Sequence, residues 1–171
     1  MRFRHEKQSN IQLFNGDSIM DFVKHDGGRK AAGFKGDTGD CVVRAIVIAT
    51  GVKYREVYDE LFNIAKHFEP CQKRTTKHLK MVEKIRSKPS PRTGVFLLVS
   101  DKYLDLRGYR PVKTSCLLDD DLFKKGTYIV YTRMHFSVIK DGVLYDSFDS
   151  RMTTGLYAKK CLKTVTRYWS I

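Results

Sequence analysis

The chain has 171 residues, of which 42% are apolar and 12% aromatic, and its 32 Lys and Arg against 19 Asp and Glu leave a formal charge of +13. That length suits a single domain and that composition can build a core, which excludes a wholly disordered chain. No apolar run nears the roughly 20 residues of a membrane-spanning helix, so no membrane partner is expected.

The first residues, Met1 to Lys7, lead into a polar stretch rather than an apolar signal segment. Up to residue 40 the chain is rich in turn formers (Asn15-Gly16-Asp17-Ser18, Asp26-Gly27-Gly28, Gly36-Asp37-Thr38-Gly39-Asp40), with one short amphipathic piece at Ile19–Val23. Residues 1–25 are read as an irregular lead-in to a single domain spanning 1–171. Cys41–Thr50 is apolar, free of Gly and Pro, preceded by Asp40 as a candidate N-cap and closed by Gly51, which predicts a short buried helix. Tyr54, Val57, Tyr58, Leu61, Phe62 and Ala65 repeat at helical spacing and predict a second helix. A third is predicted at about 76–87, with Leu79, Val82 and Ile85 inward and Lys77, Lys80 and Lys84 outward, until Lys88-Pro89-Ser90-Pro91 breaks it. Val95–Ser100 reads as a strand and Asp101–Arg107 as a short helix ending at Gly108. From Gly126 the chain turns to β character: a run over Thr127–Lys140, a two-residue turn at Asp141-Gly142, a strand over Val143–Phe148, and a final strand within Leu162–Trp169. Helices first and an antiparallel sheet second is an α+β order.

The positive charge is concentrated. Residues 66–92 carry a net +7, through Lys73, Arg74, Lys77, Lys80, Lys84, Arg86 and Lys88 among others, and residues 151–171 a net +5. Such segments either form a solvated face or attract an acidic protein or nucleic acid. Cys41, Cys71, Cys116 and Cys161 are 30, 45 and 45 residues apart, with no C-x-x-C or Cys/His spacing for a metal, so neither a metal nor a cofactor is expected. Without a signal segment a reducing cytoplasm is the expected setting, where disulfides do not persist.

A thiol at a helix N-terminus faces unpaired amides and the positive end of the helix dipole, which favour thiolate. Cys41 sits at such a place; a buried cysteine that merely fills space would look the same. The Asp141-Gly142 turn supplies a candidate partner. It fixes the register so that Lys140 faces Val143, Ser137 faces Asp146 and His135 faces Phe148. His135, Ser137 and Asp146 then share a face, with His135 and Asp146 diagonal at roughly 7–8 Å between Cα atoms, within carboxylate–imidazole reach. Asp149 falls on the other face. A His held by a carboxylate is the orienting half of a Cys-His-Asp system, and it is also an ordinary cross-strand polar pair. His5 lies near the terminus, His25 in a loop, and His67 and His78 in basic helical surroundings.

These residues resemble papain-like cysteine peptidases, in which a nucleophile at a helix start precedes a His and an Asp or Asn on a later antiparallel sheet. The stretches Asp26-Gly27-Gly28-Arg29, Gly39-Asp40-Cys41-Val42-Val43-Arg44-Ala45-Ile46, Tyr54-Arg55-Glu56-Val57-Tyr58, His135 to Asp146 and Arg167-Tyr168-Trp169 are similar to those of small phage-borne and bacterial proteins presumed to be papain-like. The resemblance implies a papain-like α+β fold, with Cys41 as nucleophile, His135 as general base and acid, and Asp146 as the orienting residue. It places a phage-encoded chain in the bacterial host cytoplasm. It also implies an oxyanion-stabilising Gln six residues before the Cys, where this chain has Lys35; Lys35 or Thr38 are then the substitute donors beside the Cys41 amide. Arg44, one helical turn after Cys41, either pairs with Asp40 or Asp37 and braces the loop or is a surface arginine. Trp169 is expected in the core.

Two functions follow as expectations. One is a cysteine hydrolase (peptidase, isopeptidase or amidase) forming an acyl-enzyme on a protein or peptide substrate, an acidic one if the basic segments guide it. The other is a papain-like scaffold with weak or no turnover that binds nucleic acid or an acidic host protein through those segments.

Overall fold

The computed structural model describes residues 20–36, 38–69, 75–151 and 164–171. Ile19, Asp37, Cys71, Lys73, Arg74 and Cys161 lie outside these residues. The described chain is α+β, with four α-helices against a six-stranded mixed sheet. In chain order the elements are β1 (Asp21–Lys24), α1 (Cys41–Thr50), α2 (Tyr54–Lys66), α3 (Thr76–Ser87), α4 (Leu97–Asp105), β2 (Val112–Leu117), β3 (Thr127–Thr132), β4 (His135–Lys140), β5 (Val143–Asp146) and β6 (Thr164–Ser170). Among the described residues no helix is long and apolar enough to cross a membrane.

The sheet order is β1-β5-β4-β3-β6-β2. Asp141 and Gly142 both adopt positive φ, 48° and 79°, so the β4–β5 turn takes the form the sequence predicts and pairs Lys140 with Val143 and Ile139 with Leu144. Side chains of β4 then alternate between two cores. Phe136 and Val138 join the core with α1 and Trp169 on one side, while Ile139 joins Val130, Leu144, Val165 and Phe123 on the other. Trp169 is fully buried and stacks on Phe136 at 5.6 Å. Helix α1 buries Val42, Val43, Ala45, Ile46 and Ile48 and ends at Gly51 in the left-handed region, whose N–H bonds the Val47 carbonyl at 2.8 Å.

The structure corrects several expectations. The sheet is not purely antiparallel, because β1 lies parallel to β5 with Lys24 beside Asp146. That pairing joins segments about 120 residues apart, which no turn signal announces. The run over 127–140 is two strands folded back at Arg133-Met134, where φ is 21° and 67°. The turn carries no Gly, Asn or Asp and so gives no sequence signal. Val95–Ser100 is not a strand; Leu97–Asp105 is helical, burying Val99, Ser100, Tyr103 and Leu104 at i, i+1, i+4 and i+5, a period hidden in a short apolar run. Leu79 is 51% exposed rather than inward, because α3 buries only Val82 and Ile85.

The loop after β1 crosses the first turn of α1. A Cβ on Gly27 (φ 64°) would lie 2.9 Å from the Arg44 Cα, whereas one on Gly28 (φ 74°) would meet open space. Gly27→Ala therefore combines a backbone clash with a disfavoured φ and is expected to lower unfolding free energy by at least about 2 kcal/mol in urea titration. Gly28→Ala carries only the φ penalty and should cost about 1 kcal/mol.

Candidate active site

Cys41 is the first residue of α1 and is partly exposed. Asp40, immediately before it, is not the helix cap that the sequence predicts. Its backbone (φ −87°, ψ 28°) lies outside the extended region an N-cap adopts, and its side chain makes no capping bond. The carboxylate is instead buried, 1% exposed, and held by Arg29 Nε at 2.7 Å, Arg44 Nη2 at 2.6 Å and the Tyr54 hydroxyl. Burial, then the bond to Asp40, pushes the Tyr54 phenol above its ordinary value of 10, so it remains a donor. Arg29 also donates to the Phe34 and Lys35 carbonyls at 3.2 and 2.9 Å. One guanidinium thus ties the 26–36 loop to the residue that precedes Cys41. Arg92 closes the other side: its Nη2 donates to the Lys35 carbonyl at 3.1 Å and its carbonyl accepts the Gly39 N–H at 3.0 Å.

The imidazole side comes from β4 and β5. His135 Nε2 lies 2.6 Å from Asp146 Oδ2, and Ser137 Oγ donates to the same oxygen at 2.7 Å. The Ser147 N–H donates to Asp146 Oδ1 at 2.6 Å, and Ser150 Oγ stands 3.2 Å from Ser137 Oγ. Phe148 packs on the His135 ring, centroids 5.0 Å apart, as the register predicts. The Cys41 thiol is the other side chain that acts on the His135 ring, favouring its charged form. With Nε2 on the carboxylate, Nδ1 is the nitrogen left to exchange a proton with sulfur.

Charge follows from this geometry. Burial alone would lower the His135 pKa, but the hydrogen bonds to Asp146 and Cys41 and their negative charge reverse it, raising it from 6.5 to about 9. Burial likewise opposes ionisation of Asp146, and the bonds from His135, Ser137 and Ser150 outweigh it, leaving the carboxyl below its ordinary 3.8. The pair is therefore imidazolium and carboxylate at neutral pH, beside a sulfur at the start of a helix.

The structure thus brings Cys41, His135 and Asp146 together. Asp149 bonds Arg151 at 2.8 Å. Lys35 enters the local network through its carbonyl, and its side chain is exposed. The Thr38 hydroxyl oxygen is buried without a hydrogen-bond partner. Lys77, Lys80, Lys84, Arg86 and Lys88 are exposed, with Arg86 Nε donating to the Phe68 carbonyl. Sequence reasoning missed the site roles of Arg29, Tyr54, Ser147 and Ser150; Ser137 was visible through the hairpin register, and the Arg44–Asp40 pair through its spacing.

Removing the Asp40 carboxylate leaves two guanidinium groups facing each other without their counter-ion. Asp40→Ala should cost about 3–5 kcal/mol in chemical denaturation, and Tyr54→Phe about 1 kcal/mol. The raised His135 value gives stability that is whole below 6.5 and lost as pH rises through about 9, while the depressed Asp146 value gives stability present above 3.8 and lost as pH falls below it. The Tm difference between wild type and Asp146→Asn should be largest between those limits and shrink toward pH 10. Compared with known proteins, the chain matches no family model, no curated protein and no solved structure.

Proposed function

We propose that the chain is a papain-like cysteine hydrolase that cleaves an amide, isopeptide or ester bond through Cys41, His135 and Asp146. One observation carries this reading: a half-buried imidazole is bonded to a carboxylate at Nε2, and a helix-start thiol is the other side chain that favours its charged form. A plain cross-strand polar pair would have no reason to meet the one described cysteine at a helix start.

The chemistry proceeds in two halves. With its proton on His135, the Cys41 sulfur attacks the acyl carbon, forming the S–C bond while the carbonyl π pair moves onto oxygen. Collapse of that oxyanion breaks the bond to the leaving group, which takes the proton from His135 and leaves a thioester. Water then attacks the thioester, giving its proton to neutral His135. The second collapse breaks the C–S bond, and the carboxylic acid leaves. Asp146 holds the ring orientation and stabilises imidazolium in both halves. The oxyanion has the Cys41 N–H as a donor, and the buried, unpartnered Thr38 hydroxyl three residues earlier supports its assignment as a second.

Iodoacetamide labelling followed by peptide mapping tests the first half. At pH 6 Cys41 should react at least about tenfold faster than Cys116, and His135→Ala should remove the difference. Equal rates at the two cysteines, unchanged by His135→Ala, would overturn the proposal. Thr38→Val should leave labelling intact yet slow p-nitrophenyl acetate hydrolysis about 100-fold, the usual cost of one lost oxyanion donor.

A further inference from the structure

Charge around the site is unbalanced in one direction. Lys24 pairs with Asp146 in the parallel register, Lys35 and Arg92 belong to the two segments clasped around Gly39, and Arg133 forms the turn that leads into His135; all four are exposed. Four acidic side chains near these residues are held within the protein. Asp26 accepts the Gly28 and Lys30 amides at 2.9 and 3.0 Å, Asp40 is held by Arg29 and Arg44, Asp146 by His135 and Ser137, and Asp149 by Arg151.

This cationic rim continues onto α3. Lys77, Lys80 and Lys84 recur at i, i+3 and i+7 on the side away from buried Val82 and Ile85, with Glu83 the one acidic residue of the helix. Lys84 Nζ lies 5.9 Å above the Phe96 ring. Two residues before Phe96 is Gly94, whose nitrogen is 3.4 Å from where a Cβ on Gly39 would lie, and Gly39 is two residues from Cys41. Lys84 of this row thus lies over the segment that packs against Gly39. From Lys77 to Lys88 the row runs about 16 Å, the span of about five extended residues.

We infer that α3 and the segment through Arg92 form a binding surface for an acidic polypeptide segment, which delivers a neighbouring acyl group to Cys41. The inference rests on Cys41 being the nucleophile and names the substrate class for that same site. A polypeptide fits better than nucleic acid on two grounds. The described residues of the strip present no exposed aromatic ring on which bases could stack, and the chemistry at its end acts on an acyl carbon, which a polypeptide carries.

The test compares chloroacetyl-hexaglutamate, chloroacetyl-hexaserine and chloroacetyl-hexalysine as alkylating agents for Cys41 in the full chain. The hexaglutamate reagent should label about tenfold faster than the hexaserine reagent at low ionic strength and lose that advantage at high salt, with the hexalysine reagent slowest. The surface variant Lys80→Glu/Lys84→Glu/Lys88→Glu should abolish the preference while leaving labelling by neutral iodoacetamide unchanged. Similar rates for the three peptides, or a preference that survives the triple variant, would overturn the inference. So would an oligothymidylate that protects Cys41 at lower concentration than free hexaglutamate. The iodoacetamide rate and its dependence on His135 are read separately, so failure of the catalytic reading is distinguishable from failure of the acidic surface.

Discussion

Everything at the site depends on one buried carboxylate. Asp146 sits at the end of β5, 5% exposed, and would resist ionisation there if nothing donated to it. Ser137, the Ser147 amide and His135 all do, and in doing so they fix the imidazole in rotation and in tautomer. A free histidine on a strand end would sample several rotamers; this one is held by Nε2 and flanked by Phe148, so Nδ1 has a fixed outlook toward the start of α1. The β4–β5 pairing is therefore a chemical as well as a structural feature. A one-residue slip would move His135 and Ser137 to the face occupied by Phe136 and Val138 and break the arrangement.

A second buried carboxylate performs the matching task for sulfur. Asp40 gathers Arg29, Arg44 and Tyr54, each from a different part of the chain, around the residue that precedes Cys41. Because the side chain serves that cluster rather than the helix, it does not occupy the first amides of α1. Those amides stay available to an anion on or near the sulfur. The two aspartates thus act on opposite sides of the site, one holding the imidazole and the other the backbone that carries the Cys41 thiol.

Local rules reached far into this chain where the signal was local. The Asp141-Gly142 turn alone determined which residues face each other across β4 and β5, and so put Asp146 within reach of His135. Gly51 and Pro89 bounded α1 and α3. Failure came where two remote segments meet, or where an unmarked backbone does the turning. Arg133 and Met134 reverse the chain with no turn residue, β1 adds in parallel from about 120 positions away, and the apolar stretch at Leu97–Val99 has no period long enough to separate helix from strand. Asp40 had the sequence context of a cap, but two arginines and a tyrosine outcompeted the helix amides for its oxygens, and nothing in the local sequence reveals Arg29 as one of them.

The coupling between sulfur and imidazole can be read directly by NMR titration of the His135 ring in the wild-type chain, Cys41→Ala and Asp146→Asn. The wild-type ring should titrate near 9, and each substitution should lower that midpoint by removing one of the two partners that stabilise the charged form. A wild-type midpoint near 6.5, unmoved by Cys41→Ala, would show that the thiol and the imidazole do not share a proton, and the catalytic pairing would fall with it.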